Sequence, residues 1–114
     1  MAKFDLEDRT SEFAKRAIRL CKSLPRDTIN IELISQLIRA SGSVGANYRE
    51  ANEALGKKDF VYRMRITRKE AKESSYWLEL VLEANEKFSE EIKSLLQEAV
   101  ELRSIFSSII DKSK

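Results

Sequence analysis

The chain has 114 residues, 42% hydrophobic and 35% charged, with a net charge of +2, a balance that suits one folded domain and by itself points to no polyanion partner. One proline and three glycines are too few turn residues for an all-β fold, and a single cysteine, Cys21, excludes an internal disulfide and fits a reducing, cytoplasmic setting. The absence of histidine removes Ser-His-Asp and Cys-His nucleophile systems, and no apolar run approaches the roughly 20 residues that span a bilayer.

The first predicted helix covers residues 5–24, with apolar positions Leu6, Phe13, Ala17, Leu20 and Leu24 at helical spacing. It follows an N-terminus that turns acidic at once, at Asp5 and Glu7, without the apolar core of a signal peptide. Pro25 ends it, because proline cannot donate to the helix and disfavours helical geometry in the residue before it. The second covers residues 30–55, with Asn30 as the expected N-cap and Gly56 as the expected C-terminal glycine. Its stripe runs through Ile34, Leu37, Ser41, Val44, Tyr48, Ala51 and Leu55.

The third predicted helix covers residues 59–86, with Asp59 as N-cap and a core stripe of Phe60, Met64, Thr67, Ala71, Ser74, Leu78 and Leu82. The fourth covers residues 89–111, with Ser89 as N-cap, through Ile92, Leu95, Ala99, Leu102, Phe106 and Ile109. Short connections force neighbouring helices to run antiparallel. The expected fold is therefore all-α: one domain, residues 1–114, forming an antiparallel up-down-up-down four-helix bundle.

Few residues can carry catalysis. Glu50 with Glu53 and Glu70 with Glu73 resemble the paired acids by which all-α nucleotide pyrophosphohydrolases hold Mg²⁺. Counting outward from the turn near Lys57, however, sets Glu70 level with about Gly45, so the pairs are offset by roughly 10 Å at 1.5 Å per residue. The expectation is a non-enzymatic protein with no metal and no cofactor.

Two groups point to binding. On the third helix, Tyr62, Arg65, Lys69, Lys72 and Tyr76 share about a quarter of the circumference, flanked by Arg68. Cations interleaved with aromatics suit phosphate contacts and base stacking. The competing reading is a solvated face whose charges pair locally, for example with Glu73 or across the turn with Glu50 and Glu53. A second row, Lys15, Arg19, Lys22 and Arg26, lies on the first helix at the opposite end of the bundle.

The other group concerns assembly. Ile66, Trp77 and Leu80 lie away from the core stripe and read as a subunit interface. Gly42 and Gly45, in the small-residue run from Ala40 to Ala46, each cost about 1 kcal/mol relative to alanine inside a helix, which a close backbone approach offsets. Asn47, at the core's edge, reads as a structural polar residue that fixes register.

The stretch Arg39-Ala40-Ser41-Gly42-Ser43-Val44-Gly45-Ala46-Asn47-Tyr48-Arg49-Glu50-Ala51 resembles a bacterial pattern. So do Asp59-Phe60 and Arg68-Lys69-Glu70-Ala71-Lys72-Glu73-Ser74-Ser75-Tyr76-Trp77-Leu78. Together they resemble the four-helix-bundle family of ribosomal-RNA intervening-sequence proteins, which includes relatives of the accessory variability protein of diversity-generating retroelements. Many members carry Glu-Gly where this chain has Glu50-Ala51. The resemblance implies a homopentameric ring without enzymatic activity. For the retroelement relative it implies binding of nucleic acid and a reverse transcriptase through a positive surface. The function expected is thus a homo-oligomeric, pentameric RNA or DNA binder; the alternatives are a protein-interaction scaffold and a Mg²⁺-dependent nucleotide pyrophosphohydrolase.

Overall fold

The computed structural model describes residues 5–114; the first residues of the acidic N-terminus read above lie outside them. Four helices follow one another: α1 (Leu6–Ser23), α2 (Thr28–Asn52), α3 (Lys57–Ala84) and α4 (Ser89–Ser113), with a short 3₁₀ turn, Glu86–Phe88, before α4. Each helix packs on its chain neighbours and α4 closes back on α1, leaving the diagonal pairs apart. Contacts between α1 and α4 descend in register, from Arg9–Glu98 to Arg16–Ser94, so the two run antiparallel. This is the expected up-down-up-down bundle.

The caps explain where the helices start, and they correct several expectations. Asp5 caps α1 by accepting from the Asp8 N–H at 2.8 Å, with Glu7 and Asp8 favourably placed in the first turn. Leu24, before Pro25, is extended, as a residue preceding proline must be. Asp27, rather than Asn30, caps α2, accepting from the Asn30 N–H at 2.8 Å. That frees the Asn30 side chain for the interior, where it is buried.

α2 stops at Asn52, short of Leu55, because tightened bonds from the Glu53 and Ala54 N–H groups to Glu50 and Ala51 carbonyls close its last turn. Leu55 is 94% exposed in the connection and belongs to no core stripe. Gly56 serves the next helix instead: at φ +114°, open to glycine and rarely to others, it is the N-cap of α3. Asp59 lies in the first turn of α3, and its Oδ2 accepts from the Leu55 N–H at 3.2 Å, tying the turn together. Ser89 is the first residue of α4, after the 3₁₀ turn, rather than its cap.

The core is one continuous cluster, with Phe13, Leu37, Met64, Leu78, Ile92, Leu95, Leu102 and Phe106 among its fully buried members. Full burial of such side chains is worth about 1.5–3 kcal/mol each. Buried hydroxyls bond back to their own helices: Thr10 to the Leu6 carbonyl at 2.7 Å, Thr67 to Arg63 at 2.9 Å and Ser74 to Glu70 at 2.9 Å.

One polar pair crosses the interior. Asn30 Nδ2 donates to Asn85 Oδ1 at 2.8 Å, and Asn85 Nδ2 returns a bond to Asn30 Oδ1 at 2.9 Å. The remaining amide protons go to the Pro25 and Val81 carbonyls, both at 2.9 Å. The register role expected of Asn47 therefore belongs to this pair. Asn47 is half-buried and donates to Ser43 of its own helix at 2.8 Å, which fixes nothing between helices.

Candidate nucleic-acid interface

α3 carries the basic stripe because its apolar positions are spent on the opposite side. At about 100° per residue, Met64, Thr67, Ala71, Ser74 and Leu78 face inward, and all are buried. Tyr62, Arg65, Lys69, Lys72 and Tyr76, spaced alternately by three and four residues, are all exposed. From first to last they span about 21 Å at 1.5 Å per residue.

The structure adds α4 to this stripe. Arg65, Arg68, Lys69 and Lys72 line one hollow of about 350 Å³ together with Arg103 and Ser107. Arg68 is half-buried, and its Nη1 donates to Ser107 Oγ at 3.3 Å, which holds the guanidinium against α4. All four cations singled out in the sequence thus meet in one place. Arg103 and Ser107 escaped the sequence reading, although antiparallel counting across the α3–α4 connection sets them level with Lys72 and Arg68. A second hollow, of about 490 Å³, continues the surface past Ser104, Ser107 and Ser108.

The local-pairing alternative predicts carboxylates beside these cations. Among the described residues the ion pairs involve Arg9, Arg16, Arg19, Arg49, Arg63 and Lys114, and none of the groove's five cations. Lys69 and Glu73 do not close an ion pair, and neither do Lys57 or Lys58 with Glu50 or Glu53. The nearby Glu70 has its carboxyl raised above the usual range by burial first and then by Glu73, against the pull of Lys69. The groove thus gathers five cations, none of them closed into an ion pair.

The two tyrosines remain open to solvent at 59% for Tyr62 and 54% for Tyr76. Tyr76 rests edge-on against Trp77, with centroids 5.3 Å apart, and the Arg63 guanidinium stands 5.9 Å from the Tyr62 ring centre. Among the described residues no three His, Cys, Asp or Glu side chains gather where they could hold a metal.

The expected interface residues separate. Trp77 is half-buried and packs on the core, because its large ring reaches back over the edge of α3. Ile66 and Leu80 are half-buried. Gly45 does sit at a close approach: a Cβ there would lie 3.2 Å from Thr10 Oγ1 of α1. Gly42 meets no neighbour in its own chain, since a Cβ there would have nothing within 4 Å.

A more exposed apolar surface lies on the opposite side of the bundle. Ile18 of α1 and Ile31, Ile34 and Ile38 of α2 line a hollow of about 300 Å³ rimmed by Lys22 and Arg26. Ile18 is 46% and Ile31 55% exposed. Cys21 lies at its base, its thiol pushed up to about 11 by burial. In the first-helix basic row, Arg19 is engaged by Glu12.

Comparison with known proteins now decides the family. The 23S rRNA-intervening sequence protein profile matches residues 3–108. The chain belongs to this family. A crystal structure of a protein of unknown function from the S23 ribosomal protein family, from Bacteroides thetaiotaomicron, is similar to it at a TM-score of 0.84 and 34% identity, covering 93% of this chain and 98% of that one. No curated protein matches. The family profile spans both helices of the basic groove, and it includes α1 and α2 with their isoleucine surface. No helix of the described residues is long and apolar enough to cross a membrane.

Proposed function

We propose that this family member is a non-enzymatic, homo-oligomeric binding protein of the cytoplasm that holds RNA or DNA in the α3–α4 groove. The observation that carries the reading is the gathering of Arg65, Arg68, Lys69, Lys72 and Arg103 in one hollow without a carboxylate partner. Such a group is stabilised by an external anion, and a polyphosphate backbone supplies several at once. The hydroxyls of Ser104, Ser107 and Ser108 add neutral donors beside the cations.

The isoleucine surface of α1 and α2 supports self-assembly. It is exposed, it lies on the side of the bundle away from the groove, and its burial between copies leaves the groove facing outward. Repetition of a weak phosphate site around a ring, pentameric by family resemblance, raises avidity without new contacts.

The test is binding of a labelled structured RNA, a single strand and a DNA duplex at low salt. Glutamate at Arg65, Arg68, Lys69 and Lys72 is expected to abolish it. Unchanged binding after this reversal, or no binding by the unaltered protein, refutes the proposal. The same isoleucine surface favours a second reading, a scaffold that docks another protein there. A monomeric mass in solution combined with no nucleic-acid binding supports that alternative.

A further inference from the structure

The groove does not end at its phosphate-binding cations. Arg65 also lines a neighbouring hollow of about 480 Å³ at the end of the bundle, formed with Lys57, Lys58, Val61 and Tyr62 of α3, with Ser113 at the end of α4 and with Lys114 after it. We propose that this end hollow receives an unpaired nucleobase stacked on Tyr62, so that the protein selects single-stranded over duplex nucleic acid. The inference rests on the proposed binding function and names the ligand class of that site.

The two hollows differ in chemistry. The first is lined by four α3 cations with Arg103 and Ser107, and no carboxylate lines it. The second has an apolar wall, Val61, which packs on the core and is thereby held in place. Next to it stands the Tyr62 ring, more than half exposed. Lys114, the residue after α4, is engaged by Asp111 at 3.6 Å. Lys57, Lys58 and Arg65 also line this hollow and suit the phosphates that flank a base, while Val61 and the Tyr62 ring offer the base itself an apolar face. A flat, neutral heterocycle with mixed donors and acceptors on its edge fits the second.

Arg65 joins the two, positioned to hold the phosphate that links a stacked base to the strand running on past Lys69. From Tyr62 to Lys69 is about 10 Å at 1.5 Å per residue, or about three stacked nucleotides at 3.4 Å each. Only an unpaired base can offer its face. In a duplex both faces are covered by neighbouring pairs, so a protein that stacks a base takes it from a single strand, a loop or an end.

The experiment compares a short mixed-sequence single strand with a duplex of equal length, by fluorescence anisotropy at several salt concentrations. The single strand is expected to bind tighter. Tyr62→Ala is expected to weaken it about tenfold, within the range for losing one stacked base, with the salt slope unchanged. Tyr62→Phe, which keeps the ring face, is expected to retain the affinity, and neither change is expected to move duplex binding. Equal losses for strand and duplex, or no loss in Tyr62→Ala while charge reversal in the groove still abolishes binding, overturn the base hollow and leave the phosphate groove standing. No binding of either ligand at low salt overturns both.

Discussion

Replacing Asn30 by alanine is the sharpest probe of how this bundle fixes its register. The substitution removes both bonds between Asn30 and Asn85, at 2.8 and 2.9 Å, and the bond to the Pro25 carbonyl. It strands the Asn85 amide, only 6% exposed, with an oxygen and a proton unpaired. A net neutral hydrogen bond contributes about 1 kcal/mol, and a buried orphan costs about 1–3 kcal/mol, so the expected loss is about 2–4 kcal/mol. Replacing both asparagines by leucine removes the orphan along with the bonds, and is expected to cost less than about 1.5 kcal/mol. Urea unfolding of Asn30→Leu, Asn85→Leu and the double leucine variant gives the coupling, expected at about 1.5–3 kcal/mol. Additive losses, or a cost below about 0.5 kcal/mol for Asn30→Ala, would refute the assignment of register to this pair.

The two helix-interior glycines are expected to respond oppositely. Gly42→Ala stabilises the fold by about 0.5–1 kcal/mol, since its Cβ meets open space. Gly45→Ala destabilises it, because Thr10 Oγ1, 3.2 Å from the new Cβ, is pinned by its 2.7 Å bond to the Leu6 carbonyl; thermal melts of both variants decide the signs. Hydrogen bonds from Gln97 first and Arg9 second lower the Glu101 carboxyl below its ordinary 4.5. A lowered folded-state value contributes stability that is present above pH 4.5 and lost as pH falls through and below it. Urea midpoints measured from pH 6 to about pH 3 are expected to fall less in Arg9→Ala than in the parent. Aspartate at both Ile18 and Ile31 is expected to reduce the assembly to monomers with the helical spectrum intact, read by light scattering and circular dichroism; an unchanged mass moves the subunit contact elsewhere.

Much of the fold was legible because periodicity is a local signal. The core stripe of α3 from Met64 to Leu78 is buried as its spacing requires. The termini were less legible. Asp27 and Asn30 are both good capping residues, and only the depth of Asn30 beside Asn85 decides between them. Gly56 is equally at home after one helix or before the next, and the short end of α2 settles its place. For the site, the four α3 cations follow from one helix's geometry, whereas Arg103 belongs to another helix and needs the antiparallel register. The helical angle alone sets Trp77 outside the core and takes no account of how far a large ring reaches back onto it. Ile31 precedes the main stripe of α2, and its place beside Ile18 depends on how α1 packs next to it.

The salt dependence of nucleic-acid binding tests the central claim most directly. With about four phosphates neutralised per site, log K is expected to fall against log salt with a slope of about −3 to −4. Arg103→Ala, which removes the one cation that α4 contributes to the groove, is expected to lower the magnitude of that slope by about one. A slope near zero, or one that Arg103→Ala leaves unchanged, would contradict a phosphate-binding groove between α3 and α4.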